Sequence, residues 1–101
     1  MLIVAGEVKL ADVAEVEKAR DAVVAMVAAT NEEAGCIVYS FAQDLSDPTV
    51  IRIFEKWESQ EALTAHFTSP HMATFMEAMA SAKIESMETK LYDAENERPV
   101  R

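Results

Sequence analysis

Glycine is scarce in this 101-residue chain, with only Gly6 and Gly35. A backbone cradle for phosphate groups needs clustered glycines behind a strand, so nucleotide and flavin sites of that kind are excluded. Cysteine occurs once, at Cys36, which rules out an internal disulfide and fits a reducing compartment. Basic residues are also few: nine against eighteen acidic, for a net charge of −9. Nucleic-acid binders neutralise phosphates with clustered Lys and Arg, and anionic membrane surfaces repel an acidic chain; neither partner is expected. No apolar run approaches the ~20 residues of a membrane-spanning helix. The segment Met1-Leu2-Ile3-Val4-Ala5-Gly6 has no basic stretch and soon turns polar, so it reads as a strand and a cytoplasmic location is expected.

What the chain does have is apolar side chains, half of its residues. That is ample for one domain and more than one small subunit readily hides. Leu2–Lys9, rich in β-branched residues, predicts a first strand. Asp12 and Glu15 form a capping-box pattern ahead of a long helix with the stripe Val16, Ala19, Val23, Met26, Val27 and Thr30. Gly35 is placed as its left-handed C′ residue. Two strands follow around the turn Asp44-Leu45-Ser46-Asp47-Pro48. In Cys36–Gln43, alternation puts Ile37, Tyr39 and Phe41 on one face and Cys36, Val38, Ser40 and Ala42 on the other. In Thr49–Glu58 it separates Ile51, Ile53, Glu55 and Trp57 from Val50, Arg52, Phe54 and Lys56. Ser59 caps a second helix reaching Phe67, and Ser69-Pro70 restarts the chain as a third. Ile84–Asp93 is a last strand.

The order βαββααβ predicts an α+β, ferredoxin-like domain: a four-stranded antiparallel sheet with helices on one face. Residues 1–93 form the domain, and 94–101 a charged tail that frays or reaches over a partner. The sheet's other face keeps Val38, Val50 and Phe54 uncovered. A second copy is expected to cover them, closing two sheets into a homodimeric α+β barrel.

His66, His71 and Glu55 are the candidate catalytic residues. Imidazoles alone among side chains ordinarily titrate near neutrality, which suits acid–base work. Glu55, among apolar neighbours, is costly unless paired, so it is expected to bond a histidine or point to the rim. Trp57, Tyr39 and Phe41 face one space, which Met72, Phe75, Met76 and Met79 would roof, with Phe67 beside it as a further candidate to line an apolar substrate pocket. A structural reading stands next to each: core for the methionine stripe, an anchor for Trp57, packing or capping for one histidine. As metal ligands His66, His71 and Glu55 match no strong motif, because five residues with a Ser-Pro break separate the histidines; no metal is expected. Cys36, in an apolar run, reads as a small hydrophobe.

Three segments together carry a resemblance: Glu33-Ala34-Gly35-Cys36-Ile37-Val38-Tyr39, then Phe54-Glu55-Lys56-Trp57-Glu58-Ser59 with Ala62-Leu63, then Ala65-His66-Phe67-Thr68-Ser69-Pro70-His71-Met72. They resemble the antibiotic biosynthesis monooxygenase family, and most of all its small quinol-monooxygenase-like members. The resemblance implies a dimeric α+β barrel with one pocket per subunit between sheet and helices. It also implies cofactor-independent oxygenation, with O₂, of a quinol, anthrone or similar dihydroxyaromatic compound. A deprotonated electron-rich ring itself reduces O₂, so the protein need only deprotonate it, hold the anion and exclude water. His66 or His71 would be the base, Glu55 would orient an imidazole, and Trp57 and Tyr39 would position the ring.

A haem-degrading branch carries an Asn on the first strand and a His within the helix. Gly6/Glu7 and Phe75/Met76 stand there, so that activity is disfavoured. Another branch acts on a small phosphorylated signalling molecule, which makes an isomerase-like enzyme one alternative, although Arg52 and Lys56 lie on the wrong strand face to bind phosphate. A non-catalytic module sequestering an apolar metabolite is another. Substrate identity depends on side-chain packing and is not legible here.

Overall fold

In a computed structural model describing residues 1–101, the elements are β1 (Leu2–Leu10), α1 (Val13–Asn31), β2 (Cys36–Gln43), β3 (Val50–Trp57), α2 (Gln60–Phe67), α3 (Pro70–Met79) and β4 (Ile84–Asp93). Local chemistry sets the helix starts. Asp12 Oδ1 accepts from the Glu15 N–H at 2.9 Å, Ser59 Oγ from the Ala62 N–H at 3.2 Å, and Ser69 Oγ from the Met72 N–H at 3.2 Å, with Pro70 at the first helical position. Each cap satisfies an orphan donor and contributes about 1 kcal/mol.

Only half of the expected capping box forms. The Glu15 carboxylate turns away from Asp12, accepts from the Lys83 N–H at 2.9 Å and pairs with Lys18. Those two partners, Lys83 first, hold its carboxyl below the ordinary range. Glu15 therefore ties the start of α1 to the connection between α3 and β4. Gly35 has the expected positive φ, +84°, but it is not C′: α1 ends at Asn31 with Glu32 as its cap. The left-handed residue serves the turn into β2, where an added Cβ would lie 2.5 Å from Ala62 Cβ.

The sheet is antiparallel with strand order β2-β3-β1-β4. Register defines two faces. Tyr39, Glu55, Val4 and Leu91 form one row of the helix-side face, and Val38, Lys56, Ile3 and Tyr92 one row of the outer face. The expected alternation of β2 fails at its start. A bulge lets Cys36 oppose Trp57 while Val38 opposes Lys56, so Ile37 is displaced and exposed and Cys36 packs inward against the core. One extra residue in a strand reverses the faces before it. Val50 is a second departure. It is buried rather than open, held where the hairpin turn bonds both its backbone groups: its N–H donates to Asp47 O and its carbonyl accepts from Asp44 N–H.

The core gathers on the β2–β3 half, where Leu2, Met26, Tyr39, Trp57 and Leu63 cluster with Phe41 and Phe75 against them. α1 lies on β2 and β1, α2 on β3, and α3 against α1. β4 is left exposed along all ten residues, including Met87 and Leu91 on the helix-side face. The tail from Ala94 folds back over its own outer face. It is pinned by Met1–Ala94 backbone bonds and a Lys56–Glu97 ion pair.

Two expectations test this packing. A Cβ on Gly6 would stand 2.0 Å from the Glu88 carbonyl oxygen and 2.6 Å from Thr89 Cα, so β4 must move off β1. Gly6→Ala should cost ~1–3 kcal/mol, read as a lower urea midpoint. The Asp47 carboxyl is lowered to about 2 by the Thr49 hydroxyl and N–H and by Lys9. Its contribution to the hairpin turn is thus complete above the unfolded value of ~3.9 and is lost as pH falls through about 2. NMR titration of that carboxyl carbon checks it.

Candidate active site

The turn after α1, the last residues of α2 and the first of α3 converge on one carboxylate. Glu33 Oε2 lies 2.8 Å from His66 Nδ1 and 2.7 Å from His71 Nε2. Ser69-Pro70 makes this possible by ending α2 and redirecting the chain, so that histidines five residues apart face one acceptor. The Ser69 hydroxyl and N–H both donate to the His66 carbonyl, at 2.8 and 3.1 Å, and fix that corner. A carboxylate oxygen only accepts, so the ring nitrogens facing it are the N–H ends.

His66 is 1 % exposed, against 23 % for the His71 side chain and 16 % for Glu33. Trp57 and Tyr39 each place a ring centroid 5.1 Å from that of His66, and Phe67 lies at 5.8 Å. Inside this aromatic box His66 Nε2 is buried with no hydrogen-bond partner. With its proton held at Nδ1 by Glu33, neutral His66 carries its lone pair at Nε2. Tyr39 is held from behind: Asn31 Oδ1 accepts from its N–H at 3.1 Å and Asn31 Nδ2 donates to its carbonyl at 3.0 Å. Asn31 thereby pairs with the free edge of β2 as a neighbouring strand would.

Glu55 does not take the expected position. It neither bonds a histidine nor points to the rim; it is buried and accepts from Trp57 Nε1 at 2.9 Å. Residues i and i+2 share a strand face, so the indole N–H is the nearest donor. Burial pushes the Glu55 carboxyl up, against the lowering effects of Trp57 and then His66. Burial first, then Glu55 and Glu33, raise the Tyr39 hydroxyl. Burial first, then the same acids with Glu33 ahead, raise the Cys36 thiol to about 11, in keeping with its reading as a hydrophobe.

The other pocket candidates divide. Phe41 stacks on Tyr39 and meets Phe75 edge-on, while Met72 and Met79 are half-buried. Met76 is 61 % exposed and Phe67 58 %, so the expected roof is only partly in place. Trp57, Tyr39 and His66 are buried beneath it. Clefts of about 460 and 300 Å³ lie beside the tail and Met1, and neither is lined by Glu33, His66 or His71.

Glu33, the acid that both histidines share, is not among the residues expected to form the site. A physical signal existed: Glu32 and Glu33 follow a helix C-terminus, where the macrodipole disfavours anions. An acid at such a place needs another partner.

The family model for antibiotic biosynthesis monooxygenase matches residues 1–78. An uncharacterised protein of Synechocystis sp. is 33 % identical over 63 residues, covering 62 % of this chain and 43 % of that protein. The chain thus spans less than half of that curated relative. A Deinococcus radiodurans structure, assigned provisionally as an antibiotic biosynthesis monooxygenase, aligns over 100 % of this chain and 99 % of its own with TM-score 0.88 and 24 % identity. A conserved Bacteroides thetaiotaomicron protein aligns over 90 % and 92 % with TM-score 0.74 and 26 % identity. Rv0793 of Mycobacterium tuberculosis aligns over 98 % and 100 % with TM-score 0.82 and 18 % identity. These likenesses show the fold, and the match across residues 1–78 shows more: the chain belongs to the antibiotic biosynthesis monooxygenase family.

Proposed function

We propose that this chain is a cofactor-independent monooxygenase acting on a quinol or similar dihydroxyaromatic compound, with His66 as its general base. The observation that carries the reading is the unpartnered, buried Nε2 of His66 behind a Glu33-held Nδ1–H. Glu33 is then a positioning residue that fixes the tautomer and stabilises the imidazolium formed on proton abstraction. The substrate anion passes an electron to O₂, and recombination puts a peroxide on a ring carbon. Loss of water leaves a carbonyl there, so that CH₂ in the keto tautomer plus O₂ becomes C=O plus H₂O. Aromatic walls exclude bulk water from these steps.

Reaching Nε2 requires one wall to move. Tyr39 and Trp57 are buried in the core, whereas Phe67 is largely exposed and is the wall proposed to move. The phosphorylated-substrate alternative gains nothing from the geometry. Arg52 pairs with Glu7 and Asp44, and Lys56 with Glu97, all away from the histidines. The working form is proposed to be a homodimer through the outer sheet face, where Val38, Phe54 and Tyr92 are exposed. No helix of the chain is long and apolar enough to cross a membrane.

The test is oxygen uptake by metal-free protein across a panel of hydroquinones and naphthohydroquinones, corrected for autoxidation. Saturable uptake should fall ~10²–10⁴-fold in His66→Ala with the circular dichroism retained. Equal turnover in that variant would sink the assignment of the base, and no uptake with any substrate would sink the oxygenase. For the dimer, Phe54→Asp should shift the protein toward monomer in sedimentation velocity. An unchanged sedimentation coefficient would remove this face from the interface.

A further inference from the structure

We infer that Glu33, His66 and His71 also form a binding site for one divalent transition cation of the zinc class. Their ligand atoms all lie within 4.8 Å of one another, from three separate segments of the chain. The Glu33 carboxylate has no ammonium or guanidinium partner. Its side-chain partners are the two imidazoles, while the paired lysines and arginines bond other acids.

The donor set decides the class of ion. Two imidazole nitrogens and one carboxylate oxygen suit a borderline-soft cation and leave a fourth position open, whereas calcium and magnesium favour all-oxygen shells. Bonds of ~2.0–2.1 Å at a tetrahedral ion place its ligand atoms about 3.3 Å apart. The oxygen–nitrogen separations of 2.7 and 2.8 Å must therefore open slightly, and the nitrogens must close on each other. His71, in the first turn of α3 and partly exposed, has the side-chain freedom to do this, while His66 stays fixed.

Occupancy has a consequence for the neighbouring atom. A cation takes the lone pair of His66 Nδ1, and a neutral imidazole then carries its one proton at Nε2. The lone pair aimed into the aromatic box is gone. Metal and base are mutually exclusive states of one ring, so zinc would switch the enzyme off. This consequence rests on the reading of His66 as the base; the site itself does not.

The full chain, stripped of metal, would be titrated with Co²⁺ with no quinol present, following the visible d–d absorption of low-coordinate cobalt and its loss when Zn²⁺ displaces it. Saturation at one equivalent, absent in His71→Ala and in Glu33→Gln, is expected. Both variants keep His66 in the core, and circular dichroism checks their fold. No saturable absorption, or the same absorption in either variant, would overturn the site, whatever becomes of the oxygenase reading. In the oxygen-uptake assay, one equivalent of Zn²⁺ should abolish turnover. Full turnover by protein shown to hold the metal would overturn the exclusion of base by metal.

Discussion

A single carboxylate oxygen, Glu33 Oε2, joins parts of the chain 33 and 38 residues away through two short bonds to imidazole N–H groups. Much else depends on it. Without Glu33, the Nδ1–H of His66 would be a second unsatisfied polar atom in the core, at a cost of ~1–3 kcal/mol. With it, the imidazole is held at one orientation and in one tautomer. Trp57 and Tyr39 can then pack at a tilt against a ring held in one orientation. The same bond holds the turn after α1 against the joint between α2 and α3, so the helix layer is fixed to the β2–β3 half of the sheet through the site itself.

How much of this could be read in advance follows from the range of the interactions. Caps at Asp12, Ser59 and Ser69 act over three residues, and each was legible along with the helix it starts. Strand alternation placed Tyr39, Phe41, Glu55 and Trp57 on one face, and the register agrees. It failed at Cys36 and Ile37 because a bulge adds a residue without any marker in composition. The histidines were legible by type. Their shared acid was legible only as an acid placed unfavourably after a helix C-terminus, because nothing in Glu33 or its neighbours encodes which residues more than thirty positions away will meet it. Glu55 drew attention as the acid among apolar neighbours, and its true partner, Trp57, stood two residues along the same strand.

The sheet is used unevenly, and this has a physical source. Large rings on β2 and β3 attract the helices, while β1 has Gly6 at the centre of its helix-side face and brings no comparable bulk. Gly6 lets β4 approach β1 more closely than any side chain would permit. The resulting strand is well bonded along its backbone and almost bare on both faces. Only 14 of 101 residues are buried and nine of those are apolar, although half of the chain is apolar. The homodimer proposed above would cover part of this surplus at Val38, Phe54 and Tyr92, which stay exposed beside the Lys56–Glu97 pair.

The orphan at His66 bears on why such a residue occupies the core at all. A leucine in the same box would bury comparable surface, leave no unpartnered nitrogen and need no Glu33 beneath it. On stability alone the histidine and its acid are the more costly choice, because a buried polar atom without a partner forfeits its bond to water. What the pair adds is a lone pair at a fixed position, shielded from solvent and backed by a negative charge. Local rules of good packing are broken where a site needs chemistry, and here the breach is confined to one atom. Around it the Asn31 clamp bonds both backbone groups of Tyr39, and Glu55 holds the Trp57 indole N–H. The surrounding order is what lets that one unsatisfied atom stay where it is.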